Sequence, residues 1–303
     1  MPSLKAIRTR ITSVKNTRKI TKAMQLVSTA KLKRAQSALI AARPYTQAIT
    51  EVVAQLSAVA GTDSHPLFGR SDAGPAAKAA IVVMTSDRGQ AGAFNANVTK
   101  AVERYAANEL SGASEVSLRI IGRKGNQYFS RRRATITSFD GAPTGLTALE
   151  SARETANRVI ADFLAGKVDR VFVIYNEFKN AGSQSVKVKQ ILPVMPEQVA
   201  LTTTKGAAHK EAESDEQADY IYEPDKQQLL DRLVPLYVQI MLYRAALESI
   251  TSFFAAQMTA MQNATKNAGD MISALTLQFN RARQASITKE LAEIVGGAEA
   301  LKG

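Results

Sequence analysis

Cysteine is absent from the 303 residues, and so is tryptophan. The first absence excludes disulfides, thiolate metal sites, iron–sulfur clusters and a cysteine nucleophile. Histidine occurs only twice, as His65 and His209, which excludes a histidine-rich metal site. Ser/His/Asp chemistry would have to use one of these two. Both stand in polar, loop-like stretches, where a surface histidine is the plainer expectation. The acidic residues form no recognisable catalytic dyad. The longest charge-free stretch near the C-terminus, Ser249 to Thr265, is 17 residues and carries Ser, Thr, Gln and Asn, so it reads as no membrane span.

Acidic residues are missing from one region in particular. Residues 1–50 hold eleven Lys and Arg and no Asp or Glu, whereas the other 253 residues hold 28 basic and 27 acidic side chains. The formal charge of +12 is thus an N-terminal property. Such a segment is suited to an acidic counterpart: a nucleic acid, a membrane surface or an acidic protein face. Its first 44 residues contain no aromatic, so the stacking platforms of many nucleic-acid binders are missing. The same composition resembles a mitochondrial transit peptide. A heptad pattern beginning at Leu4 instead assigns these residues to the mature protein.

An apolar content of 45% supports a sizeable core. From Ser3 to about Ala60 breakers are few. Leu32, Ala35, Leu39, Ala42, Thr46, Ile49, Val53, Leu56 and Ala60 alternate in steps of three and four, the seam of a coiled coil. Leu4, Ile7, Ile11 and Val14 repeat the spacing in what reads as a different phase. A register slip is therefore expected through Ile20, Met24 and Val27. Pro44 is expected to kink the helix or break its ladder. At the other end, Leu229, Leu233, Leu236, Ile240, Tyr243, Leu247, Ile250, Phe254, Gln257, Met261, Ala264, Ala268, Met271 and Leu275 keep one heptad register, with Gln257 its only strongly polar member. A helix from 225 to 295 would be about 105 Å long at roughly 1.5 Å per residue. A compact domain cannot contain it. The expectation is an antiparallel two-helix shaft, with both chain ends towards one tip.

The middle alternates strands with helices. Strands are expected at Ile81–Thr85, Ser117–Gly122, Thr135–Phe139, Arg170–Phe178 and Ser185–Leu192. Helices are expected near 94–110, 125–132 and 146–165. Lys179–Ser183 reads as a hairpin turn, and Thr202–Asp219 as a polar loop. The fold class is therefore α/β: a long antiparallel coiled coil of N- and C-terminal helices plus a central Rossmann-like α/β domain. The division is 1–60 for the first helix, 76–200 for the central domain, 201–222 for the polar loop and helix entry, and 223–303 for the last helix.

The loop Ser86-Asp-Arg-Gly-Gln-Ala-Gly-Ala-Phe-Asn95 follows a strand and opens a helix, where a nucleotide phosphate would sit. It contains neither phosphate-loop signature, so a glycine-relaxed turn is the stronger reading. Gly122-Arg-Lys-Gly125 is a second such turn. From residues alone, two further functions compete with a shaft: a basic coiled-coil nucleic-acid-binding scaffold, and a nucleotide-using enzyme.

Longer segments identify a family. Ile7-Arg-Thr-Arg-Ile-Thr-Ser-Val-Lys-Asn-Thr-Arg-Lys-Ile-Thr-Lys-Ala-Met-Gln-Leu-Val27 resembles the N-terminal helix of the gamma subunit of F-type ATP synthases. Ser86–Asn95 resembles its central loop, and Tyr220-Ile-Tyr-Glu-Pro-Asp225 the approach to its last helix. Segments 260–272 and 281–300 resemble that helix and its signature. The resemblance implies a non-catalytic central-stalk rotor without cofactors, turned by the proton-driven c-ring and acting on three alpha and three beta subunits. The epsilon subunit would be a further partner, no nucleic acid would be bound, and the membrane would be met only through the c-ring. It also implies residue roles. Lys22, Met24, Arg283, Gln284 and Thr288 would contact beta subunits, as would Gln257, which stands where the family often has a basic residue. Tyr220, Tyr222 and Glu223 would contact the c-ring and epsilon. Gln90 and Ala91 replace the family's commoner Leu-Cys, and thiol regulation is excluded without cysteine. The lack of a presequence points to a bacterial chain, on the cytoplasmic face of the inner membrane.

Overall fold

The computed structural model describes residues 3–61, 64–68, 77–195 and 225–300. The chain divides into two units, Met1–Ala30 with Gln257–Gly303, and Lys31–Ala256. Two long helices belong to both. Helix α1 is Leu4–Ala60 and α5 is Lys226–Ala300. Each begins on a side-chain cap. Ser3 Oγ accepts from the Ala6 amide, and Asp225 Oδ1 accepts from the Gln228 amide, satisfying donors that the first turn leaves without partners. Both helices continue through their prolines, Pro44 and Pro235. An interior proline costs about 3 kcal/mol. At Pro44 that cost is offset by the burial of Thr46, Ile49, Val53 and Leu56 along the same helix.

The expected register slip does not exist. Leu4 and Leu32 are 28 residues apart, four whole heptads, so the two stretches share one phase. Between them the seam passes through Arg18, Thr21, Gln25 and Ser28, of which Ser28 is buried and Thr21 and Gln25 half-buried. The apolar residues thought to mark the slip lie outside the seam. Ile20 is 60% exposed and Val27 55%. Hydrophobicity alone misplaced the stripe, because here the inward positions are polar and the outward ones apolar.

The Lys31–Ala256 unit is a three-layer sandwich. Its strands are β1 (Ala79–Met84), β2 (Val116–Ile121), β3 (Ile136–Asp140), β4 (Arg170–Asn180) and β5 (Ser183–Leu192). Their order is β3-β2-β1-β4-β5, parallel except for the β4–β5 hairpin. The connections carry α2 (Phe94–Asn108), α3 (Arg123–Ser130) and α4 (Ala148–Leu164). Side-chain alternation assigns the two faces. Ile81, Val83, Leu118, Ile120, Phe172 and Ile174 pack with α2 and α3. Ala80, Val82, Val171, Val173 and Tyr175 pack with α4, α5 and the adjoining stretch of α1.

Consequently α5 from Leu230 to Ala255 is buried on more sides than a coiled-coil seam requires. Leu230, Val234, Val238, Leu242, Leu247, Thr251, Ser252 and Ala255 are all inaccessible or nearly so. By length and composition α5 is apolar enough to cross a membrane, but 61% of its most apolar stretch is buried inside the protein. His65 also departs from expectation. It is buried against Phe68, its Nδ1 accepts from the Leu67 amide at 3.1 Å, and its Nε2 lies 3.8 Å from Asp231 on α5. It clips a short 3-10 turn, Pro66–Phe68, onto the helix. His209 lies outside the described residues.

Candidate functional site

Two places were singled out by sequence: the loop at the carboxyl end of β1, and the surfaces of the terminal helices. The loop is built as follows. Gly122 has φ +100°, and a Cβ there would fall 2.3 Å from the Thr85 carbonyl oxygen, so only glycine lets β2 turn this close to β1. Thr85 Oγ1 accepts from the Gly125 amide at 2.9 Å. Ser86 and Asn95 hydrogen-bond one another, closing the loop onto the first turn of α2. Asp87 Oδ1 accepts from the amides of Arg123, at 2.9 Å, and Ala142, at 3.0 Å. The anion at the start of α3 is thus the protein's own carboxylate, where a phosphate would meet like charge.

Sheets of this winding bind ligands where the strand order reverses. Here that point lies between β1 and β4, and protein fills it. Asn176 of β4, 2% exposed, donates from Nδ2 to the Phe94 carbonyl at 3.1 Å. Phe94 packs edge-to-face on Phe253 of α5, with centroids 5.5 Å apart. Ser252 Oγ donates to the Asn176 carbonyl at 3.0 Å. The nucleotide reading of this loop finds no room. Among the described residues there is also no cluster of three metal-ligating side chains.

The helical surfaces are different. In the Met1–Ala30 and Gln257–Gly303 unit, α1 and α5 run antiparallel. Ser28 Oγ donates to Gln257 Oε1 at 2.9 Å, Thr265 Oγ1 donates to Thr21 Oγ1 at 2.8 Å, and Gly269 lies against Arg18. Beside these contacts is an open groove of about 380 Å³, lined by Arg18, Lys22, Lys266 and Asp270 among others. Among the described residues, no basic side chain of α1 enters an ion pair with Asp or Glu. Lys22 reaches only Gln25, at 3.4 Å, and Lys31 lies over the Phe254 ring, 5.5 Å from its centroid. A helix with this much positive charge and no ion pair among the described residues is suited to an acidic surface.

The sequence-derived site residues fall into four groups. Lys22 is exposed and Met24 half-buried, two residues apart on one turn of α1. Gln257 is turned into the seam, its carbonyl oxygen taken by Ser28. Arg283, Gln284 and Thr288 are exposed on α5, where from Ile287 to Ala298 every described side chain is exposed. Thr288 Oγ1 spends its proton on the Gln284 carbonyl at 3.0 Å. Tyr220, Tyr222 and Glu223 lie outside the described residues.

Sequence reasoning missed a buried polar line on α5. Arg244 Nε pairs with Glu248 Oε1 at 2.8 Å, Glu248 is 4% exposed, and its Oε2 has no hydrogen-bond partner. Burial, reinforced by the Glu248 charge, pushes the Tyr175 hydroxyl far above its ordinary value. Lys189 of β5 donates to Met241 Sδ at 3.2 Å. Burial, then Arg244 and Lys187, push its ammonium down to about 8. The signal available in sequence was Arg244 and Glu248, four residues apart inside an apolar helix.

Comparison with known proteins bears on the whole chain. A family profile described as ATP synthase matches residues 3–301. The ATP synthase gamma chain of Geotalea uraniireducens is 43% identical over 303 residues, covering all of both chains. That of an Anaeromyxobacter species (strain Fw109-5) is 46% identical over 308, again covering both. Among solved structures, a chain in the central stalk and c-ring of the Tetrahymena thermophila mitochondrial ATP synthase is 27% identical, with a TM-score of 0.58. The match covers 81% of this chain and 99% of that one. A chain of the Euglena gracilis mitochondrial enzyme shares the fold at 18% identity, with a TM-score of 0.66 and coverage of 98% and 94%. These matches give the nucleic-acid scaffold reading no support. The chain belongs to the ATP synthase family, among its gamma chains.

Proposed function

We propose that this chain is the non-catalytic rotor shaft of a bacterial ATP synthase, turning with the c-ring and imposing its orientation on a ring of three alpha and three beta subunits. The observation that carries this is the basic helix α1, whose cations enter no ion pair among the described residues. Acidic loops of surrounding beta subunits would supply the missing charge. A contact made and broken on each turn must be weak. Solvated pairs worth about 0–1 kcal/mol suit that role better than buried ones. Lys22, Met24, Arg283, Gln284 and Thr288 would meet the beta subunits. Gln257, held by Ser28, would act there through the packing of the two helices. Tyr220, Tyr222 and Glu223 would meet the c-ring and epsilon, at the cytoplasmic face of the inner membrane. Residues 1–60, 76–200 and 223–303 would serve as the first helix, the c-ring-proximal domain and the last helix.

Reconstitution tests the reading. The chain is mixed with alpha and beta subunits from the same source, and size and ATP hydrolysis are measured. A complex of three alpha, three beta and one copy of this chain, hydrolysing ATP faster than the mixture without it, is expected. No complex and no stimulation would overturn the proposal. Within the assembled enzyme, Arg283→Ala with Gln284→Ala should lower ATP-driven proton pumping; pumping unchanged would remove these two from the contact set.

A further inference from the structure

If the chain is a rotor, torque must pass between the α/β domain and α5. An apolar interface resists turning through its interdigitated packing, but its driving force is non-directional and selects no single angle for a helix in its socket. Directional hydrogen bonds and ion pairs do select an angle, and polar residues in apolar interfaces are known devices for fixing register.

Such groups lie along one line of the Lys31–Ala256 unit. On α5, Met241, Arg244, Glu248 and Ser252 follow one another at steps of three and four, which places them on one face of the helix. All four meet the β4–β5 hairpin or lie beside it. Met241 Sδ accepts from Lys189. Glu248 lies with its Arg244 partner against Tyr175, which feels the charge of both. Ser252 donates to the Asn176 carbonyl, and the Asn176 side chain carries the connection on to the start of α2 at Phe94. Beside the line, a cavity of about 320 Å³ is lined by Arg43 and Thr46 of α1, Glu177 and Lys179 of β4, and Glu248. Around the line the core is mainly apolar, with Thr46, Thr50, Ser249 and Thr251 buried as well.

We infer that Lys189, Tyr175, Asn176, Arg244, Glu248 and Ser252 form a rotational key, fixing the angular position of α5 against the β4–β5 hairpin so that turning of one turns the other. The inference rests on the rotor reading. These are positioning residues, remote from any nucleotide. Their cost is the burial of the Glu248 carboxylate and the partial burial of Arg244 and Lys189 in a mainly apolar interface. For folding alone, replacing a buried ion pair by apolar side chains of similar volume is often neutral or favourable.

That difference provides the test. Complete enzyme in sealed vesicles carries either Arg244→Met with Glu248→Met, or Asn176→Leu with Ser252→Ala. ATP hydrolysis and ATP-driven proton pumping are measured on the same vesicles. The key predicts hydrolysis near that of the unsubstituted enzyme with pumping lower by about threefold or more, the size expected when a coupled contact network is cut. Pumping that stays in proportion to hydrolysis in both variants overturns the key. If the first variant assembles poorly, the second reads the same ratio with no charge altered. Vesicles lacking the chain separate the two proposals: pumping undiminished without the chain rejects the rotor itself, whereas pumping lost without it but normal in both variants rejects only the key.

Discussion

Helix α1 crosses two environments with one heptad register. From 32 to 56 its inward positions are Leu32, Ala35, Leu39, Ala42, Thr46, Ile49, Val53 and Leu56, nearly all apolar and buried. From 18 to 28 they are Arg18, Thr21, Gln25 and Ser28, while Ile20, Leu26 and Val27 face outward. Helix α5 divides likewise. Between 230 and 255 it is buried on several sides, and beyond Ile287 it is exposed on all of them. The same two helices thus build a buried core in one unit and a largely exposed surface in the other. A core buries apolar groups against its own chain, whereas an interface leaves apolar and charged groups exposed until the partner arrives.

The widest gap between the units should appear in stability. Leu247→Ala removes a fully buried side chain and should cost about 3–4 kcal/mol. Ile20→Ala should change the isolated chain by less than about 0.5 kcal/mol. Urea unfolding of both measures the contrast, and a similar loss from both would break the comparison. Next is Asp162, which accepts from buried Arg119 and from Lys167. Burial raises its carboxyl and the two cations more than reverse that, so it titrates below its ordinary value. Asp162→Ala should cost about 2 kcal/mol, less than a fully buried pair would, because the carboxylate is 23% exposed. Arg119→Met together with Asp162→Ala should recover part of it. Smaller again is the polar seam: Ser28→Ala, which strands Gln257, should cost about 1 kcal/mol.

Dependence on pH sharpens the comparison further. His65 is pushed down mainly by burial, with Asp231 opposing, so the fold favours the neutral ring that accepts from Leu67. Stability should be complete above 6.5 and fall as pH drops through the lowered value. Lys189 has the same sign in another window. Its folded value of about 8 lies below the ordinary 10.5, so stability should rise with pH between these values. Lys189→Met should flatten the alkaline rise and leave the acid fall intact, as read by thermal unfolding across pH.

Where periodicity was apolar, the sequence was legible. The strands of the central sheet and both long helices follow from alternation and heptads, because burial there selects side chains one by one. The α1 seam was misread between Val14 and Leu32 for the converse reason. Outward-facing Ile20 and Val27 carried the hydrophobic signal, while the true inward residues are polar. Asn176, Glu248 and Lys189 were invisible because they come together only through tertiary contact. His65 looked like a surface residue until Phe68 and Asp231 were brought beside it. The surface residues Lys22, Arg283 and Gln284 were legible only through resemblance, since nothing in their spacing distinguishes a contact from a solvated face.

Rotation itself is the central claim. Because the chain has no cysteine, Asn108→Cys places a single attachment point at the exposed end of α2. With the alpha–beta ring fixed to a surface and a reporter bound at that cysteine, ATP should drive stepwise rotation in one direction. A reporter that stays fixed relative to the ring while ATP is hydrolysed would contradict the account.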